Sequence, residues 1–262
     1  MKTSALLALV LVCLVFFSCK KNTSAPSHPS PGKTMRIQSS GTNLSSKILL
    51  VIYSPAGNIL SVNDSANGVI YTASYDPAGN LTHIVQMNGT TLLDSASYSY
   101  NAQDQMIGRV TSYINTTQVT TFYYAAGVLA ADSTYYFDSG NVFDSSYTTY
   151  QVSNGDIASF QLTEPGNPID SVTLTHSSSL NPFRQLSLFN WTQGLENIDV
   201  ASPYTWFDQH ALAGYTNTSQ LVPVTETATY TFNTAGEPIE AKSVESFGAT
   251  STVIFDWVIT YP

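Results

Sequence analysis

The groups in this 262-residue chain that could do chemistry are few: four histidines, two cysteines and eighteen acids. A zinc protease sets two histidines one helical turn apart, with a glutamate between them. His28, His83, His176 and His210 show no such pattern, and no two lie within ten residues. Each reads as a surface or strand-filling residue. Cys13 lies inside an apolar leader, so Cys19 is the one thiol beyond it. Thiolate catalysis and thiolate metal sites are therefore not expected. There is no G-x-S-x-G, P-loop or dinucleotide glycine pattern. A Ser/His/Asp set could be assembled on paper, but no spacing selects one. Asp76, Asp104, Asp138 and Asp156 fall in turn-like stretches, where aspartate bonds its own backbone. "DSGNVFD", Asp138 to Asp144, has oxygens for calcium but lacks the twelve-residue loop and closing glutamate of an EF-hand. No carboxylate pair stands out for glycoside hydrolysis. The expectation is no enzyme and no cofactor.

One stretch departs from the style of the rest. Residues 180–215, "LNPFRQLSLFNWTQGLENIDVASPYTWFDQHALAGY", hold two of the three tryptophans. Exposed aromatics beside an arginine suit a sugar ring or a protein partner. The candidate ligand-binding residues are Trp191, Trp206, Tyr204 and Arg184. The competing expectation is that this segment folds over one opening of a curled sheet and plugs its core, since Trp and Phe are usually buried.

The remaining elements must position these residues. Lys2 and the apolar run Ala5 to Phe17 read as an export signal over residues 1–18, too short to cross a bilayer as a helix. Ser18 followed by Cys19 looks like a bacterial lipobox. That resemblance implies cleavage before Cys19 and acylation there, giving a lipoprotein. Residues 19–47 are rich in Ser, Thr, Pro, Gly and Asn, carry five cations and no acids, and read as a flexible tether. These cations either meet anionic headgroups or only keep the tether solvated. From residue 48 onward three cations face all eighteen acids, which excludes a nucleic acid partner.

Residues 48–262 read as a single β-rich domain. Tyr, Val, Ile, Thr and Phe dominate, and no helical stripe of ten residues occurs beyond the leader. "YSPAGN" (53–58) and "YDPAGN" (75–80) are near-identical turns, each between strand-like runs. Looser copies place Tyr100, Tyr124 and Tyr150 at steps of 24 to 26 residues, and Phe232 in the same role. A second turn between copies leaves strands of about 7–9 residues, the mark of an antiparallel meander. Tyr71, Ala73 and Tyr75 share one face and Thr72 and Ser74 the other, so one side of the sheet can be solvated. The predicted fold is all-β: a large antiparallel meander of repeated hairpins forming a curled sheet or partly closed barrel.

Tyr75 to Leu81 resembles the YD repeat of RHS-type secreted proteins. The lipobox, the tether, "TYTFNTAGEPIEA" (229–241) and "LNPFRQL" (180–186) together resemble Bacteroidetes lipoproteins of the DUF4595 type. This resemblance implies a curled, porin-like antiparallel sheet and no assigned activity. It also favours an outer-membrane anchor facing the periplasm, because "CKKNTS" carries no acids after Cys19. The expected function is a lipid-anchored envelope module for binding or structure, with a glycan or peptide as ligand. One alternative is a secreted hydrolase using carboxylates. The other is an outer-membrane barrel, prompted by the aromatic final run "VIFDWVITYP". Asp256 within that run and outer faces rich in Ser and Thr suit lipid poorly.

Overall fold

The computed structural model describes residues 34–39, 48–186, 207–219 and 223–261. Sixteen strands follow one another, with no helix among the described residues beyond a single 3-10 position. They are β1 (Thr34–Ser39), β2 (Ile48–Tyr53), β3 (Ile59–Asp64), β4 (Val69–Tyr75), β5 (Leu81–Asn88), β6 (Thr91–Tyr100), β7 (Met106–Ser112) and β8 (Thr116–Ala125). After these come β9 (Val128–Asp138), β10 (Asn141–Ser153), β11 (Asp156–Thr163), β12 (Asp170–Leu180), β13 (His210–Asn217), β14 (Val224–Phe232), β15 (Pro238–Phe247) and β16 (Thr250–Thr260).

Each strand pairs antiparallel with its neighbours in sequence, and β1 pairs with both β2 and β16. The predicted all-β meander of hairpins is present, and it closes completely into a barrel. Closure removes both sheet edges. It depends on a segment that reads as tether in the sequence, because Thr34–Ser39 form β1. Met35 and Ile37 point inward, 1% and 2% exposed, opposite Val51 and Ile259. Two inward apolar residues amid Ser, Thr and Gly are too short an alternation to stand out.

The residue pattern of each strand explains the wall. In β4, Val69, Tyr71 and Ala73 are buried and Ile70, Thr72 and Ser74 exposed. In β14, Thr225, Thr227, Thr229 and Thr231 all face out. The lumen is where apolar side chains gather, which matches the expectation of one solvated face.

The two near-identical turns share one hydrogen-bond scheme. The N–H of Ser54 donates to Asn58 O and that of Gly57 to Ser54 O; Asp76, Gly79 and Asn80 repeat this. The first residue's side-chain oxygen then accepts the fifth residue's N–H: Ser54 from Asn58, Asp76 from Asn80, Asn101 from Gln105, Asn233 from Glu237. Gly57 and Gly79 take φ of 82° and 86°, a region other residues avoid. In the looser copy at 101–105, Asp104 occupies it at φ 58°.

The repeat tyrosines form a ladder. Most donate the hydroxyl to a backbone carbonyl near the start of a strand one repeat back, while Tyr53 faces Met35 Sδ at 4.0 Å. Tyr75 reaches Ile59 O (2.8 Å), Tyr100 Leu81 O (2.9 Å), Tyr124 Met106 O (2.8 Å), Tyr230 Leu212 O (2.8 Å) and Tyr261 Pro238 O (2.9 Å). This contact explains why a tyrosine recurs at that spacing.

Residues 181–186 enter the lumen and fill it at one end. Phe183 and Leu186 are each 1% exposed. The Phe183 ring meets Trp257 edge-on at 5.8 Å and Tyr230 at 6.2 Å. Gln185 Oε1 accepts the Ile59 N–H (3.1 Å). The beginning of the 180–215 segment is therefore a core plug.

Candidate functional site

The lumen away from this plug is polar. Inward positions of β7 to β10 carry Arg109, Thr120, Asp132, Thr134, Thr148 and Tyr150 in one contiguous group, while buried polar residues on other strands, Asp64, Gln86, Asp94, Glu226 and Ser243, are more scattered. They line a cavity of about 290 Å³, with Phe122, Leu162, Glu164 and Phe207 completing its walls. Phe122 and Phe207 lie with ring centroids 5.4 Å apart.

A chain of hydrogen bonds runs along this wall. Arg109 donates from Nη2 to Thr120 Oγ1 (3.0 Å). Thr120 and Thr134 share a hydroxyl contact of 3.0 Å, and Thr134 donates to Asp132 Oδ1 (3.4 Å). Tyr150 donates to Asp132 Oδ2. Here the tyrosine ladder changes partner: Tyr150 holds the repeat position but gives its hydroxyl to a carboxylate instead of a carbonyl. Burial pushes the Asp132 carboxyl above its usual range, while the Tyr150 hydroxyl and the Arg109 charge pull it back. Burial likewise lowers Arg109. A guanidinium, a carboxylate, several hydroxyls and two phenyl rings can together orient a small polar ligand.

A second constellation lies where β11, β12 and β13 meet the plug. Asp156 Oδ1 accepts the N–H groups of Gln209 (2.7 Å) and His210 (2.9 Å), and its Oδ2 contacts His210 Nδ1 at 2.7 Å. Asp208, fully buried, accepts the Ile157 N–H on Oδ1 (2.6 Å) and contacts His176 Nε2 through Oδ2 at 3.0 Å. Burial raises the Asp208 carboxyl, opposed by the His176 hydrogen bond. For His176, burial lowers the imidazole but the Asp208 contact outweighs it, and the net direction is upward. Arg184 is half-buried and senses the charges of Asp208 and Asp156, although burial still lowers it.

Of the residues singled out from sequence, Arg184 thus belongs to this buried group and does not line the polar cavity. Trp191, Tyr204, Trp206 and Cys19 lie outside the described residues. His83 sits on the outer wall opposite Ser74 and Ser97. His176 and His210 are aspartate partners rather than strand fillers, and the Asp156 carboxylate accepts the amides of Gln209 and His210 at the start of β13. The polar inward positions of β7 to β10 carried the one available signal, hydroxyls and charges at alternate residues where the core face should be apolar. "DSGNVFD" forms a tight hairpin turn through Ser139 and Gly140, with Asp144 Oδ1 accepting the N–H of Ser145.

These features define a closed sixteen-stranded antiparallel barrel, packed at one end and polar at the other. The sequence profile of the RHS Repeat family matches residues 53–91, the span of both near-identical turns. A porin-like protein from Bacteroides uniformis ATCC 8492 has a similar fold, with a TM-score of 0.57 and 15% identity. The similarity covers 89% of this chain and 98% of that one. A porin-like protein from Bacteroides vulgatus ATCC 8482 aligns at 12% identity and a TM-score of 0.47, over 89% of this chain and 98% of its own. No curated protein matches the chain.

Proposed function

We propose that this chain is a cell-envelope barrel tethered to the outer membrane through Cys19, with its wall in water, which binds a small polar ligand in the cavity between β7 and β11. The observation that carries the reading is the cavity itself. A lumen built only for stability would be packed with apolar side chains, because each buried polar group costs free energy unless bonded. Instead Arg109 and Asp132 are 5% and 6% exposed, and Thr120, Thr134 and Thr148 point between them. Hydroxyls beside two aromatic rings favour a sugar-sized ligand over a long peptide.

The wall mixes outward apolar residues such as Ile52, Ile70, Tyr135 and Val258 with charges and hydroxyls, and the latter support a water-facing placement. A membrane-spanning barrel presents an outward apolar band about 25 Å tall. Here the outward positions include Arg36, Glu240 and Lys242, the four threonines of β14, and a Lys242–Asp256 contact of 3.9 Å between β15 and β16. The export signal, the lipobox and the likeness to DUF4595-type lipoproteins support the anchor. The likeness to porin-like barrels supports the envelope location and keeps a spanning barrel as the second reading.

The water-facing wall and the cavity ligand are tested on the chain from residue 19 with Cys19→Ser. It should purify as a monodisperse protein without detergent, whereas a spanning barrel would need detergent. Saccharide screening by saturation-transfer NMR should find a ligand whose signal is lost in Thr134→Val and Asp132→Asn. No saccharide signal, or one unchanged in both variants, would refute the cavity as the site.

A further inference from the structure

Asp156, His176 and Asp208 are far apart in sequence, yet their ligand-type atoms all lie within 4.8 Å of one another. We propose that these three side chains form a binding site for a zinc-type divalent cation beside the lumen plug. The inference is independent of the cavity reading, since none of the three lines that cavity.

Three observations carry it. The donor set is one imidazole and two carboxylates, which suits zinc and its first-row neighbours; calcium and magnesium prefer oxygen alone. The spacing is close to what such an ion needs. Ligands at about 2.0–2.2 Å from a tetrahedral centre lie about 3.3–3.6 Å apart, and His176 Nε2 and Asp208 Oδ2 already stand 3.0 Å apart. Closing the set calls for Asp156 to shift by about 1.5 Å or less, given the 4.8 Å limit. The carboxylates are also held from behind. Ile157 N–H fixes Asp208, and the Gln209 and His210 N–H groups and the His210 ring fix Asp156. Such outer contacts orient metal ligands and add to affinity. Without the ion, a proton between His176 and Asp208 bridges the pair; the ion takes its place, with the imidazole binding in its neutral form.

The charges facing the site decide how tightly it binds. Arg184 opposes a cation there, and Asp156 and Asp208 favour it. Removing the arginine charge should therefore tighten binding while leaving the ligands intact.

The test uses the chain from residue 19 with Cys19→Ser, stripped with a chelator. Zinc titration by calorimetry should show one site per chain, and cobalt should give visible absorption bands of an N/O-coordinated ion. His176→Gln should weaken zinc at least ~100-fold, and His83→Ala, on the outer wall, should change nothing. Arg184→Gln supplies the second variant, with affinity expected to rise roughly tenfold. No stoichiometric binding, binding kept in His176→Gln, or binding weakened in Arg184→Gln would each overturn the proposal.

Discussion

The tyrosine ladder allows a sharp comparison between rungs. Tyr75 and Tyr124 each donate to one backbone carbonyl at 2.8 Å, whereas Tyr150 donates to the Asp132 carboxylate. Replacing tyrosine by phenylalanine keeps the ring and removes only the hydroxyl. For Tyr75→Phe or Tyr124→Phe the loss is one neutral hydrogen bond, about 1 kcal/mol. That corresponds to a melting shift of roughly 2–4 °C in a domain of this size. The two sites share no partner, so the double variant should lose about 2 kcal/mol. Tyr150→Phe should cost more, about 1.5–3 kcal/mol, because a buried carboxylate loses a donor. The excess must depend on pH. Burial raises the Asp132 carboxyl and the Tyr150 hydroxyl holds it down, so the variant raises it further. The excess cost is full only at pH values where Asp132 is ionised in both the parent and the variant. It fades as pH falls through the raised value, since both proteins then carry a protonated Asp132. Urea unfolding at pH 7.5 and pH 4 measures both quantities. If Tyr150→Phe costs no more than Tyr75→Phe, or the same at both pH values, the distinction between rungs is wrong.

Three further expectations rest on single features. Burial raises Tyr53, Tyr75, Tyr98, Tyr100, Tyr230 and Tyr261 strongly and pushes Tyr124 up to about 12. Their stability contribution is full below pH 10, where unfolded tyrosine begins to ionise, and is lost above it. Absorbance at 295 nm should therefore show these seven ionising only as the barrel unfolds. Asp94 is pushed up to about 6 by burial, from an ordinary 3.8. With its amide flipped, Gln86 presents its nitrogen to both Asp94 oxygens and its oxygen to the Tyr71 hydroxyl. The unfolded chain releases this proton first, so stability should fall by about 1–3 kcal/mol as pH rises from 4 to 6. Asp94→Asn should flatten that slope in urea midpoints taken across the window. A Cβ at Gly214 would stand 2.2 Å from the carbonyl oxygen of Glu226, which is backbone and cannot swing aside. Gly214→Ala should part β13 from β14 and cost about 2–3 kcal/mol, read from thermal unfolding.

How much of this was legible in the sequence depends on the range of each interaction. The hairpins were legible because their bonds close within five residues. What the turn needs at its first position is an acceptor oxygen, supplied by Ser54, Asp76, Asn101 or Asn233. The copies can therefore drift in letter while keeping their geometry. The ladder was half legible: the tyrosine spacing showed, but its carbonyl partners follow from register and become visible only when strands are paired. The closing strand β1 was not legible, since two inward residues set no period. The buried acid–imidazole pairs were the least legible. Asp156 meets His210 across 54 residues and Asp208 meets His176 across 32, and only the side-by-side pairing of β11, β12 and β13 brings them together. Asp76 and Asp156 make the point in one comparison. Both lie at hairpin turns, and from local pattern both read as turn residues. The Asp76 carboxylate indeed accepts Asn80 of its own turn (2.8 Å). That of Asp156 accepts the amides of Gln209 and His210, on the chain returning from the lumen. Turn geometry follows from local residues, but a carboxylate's partner depends on what stands across from it. A site that sequence spacing cannot reveal therefore lies where turn aspartates meet the returning chain.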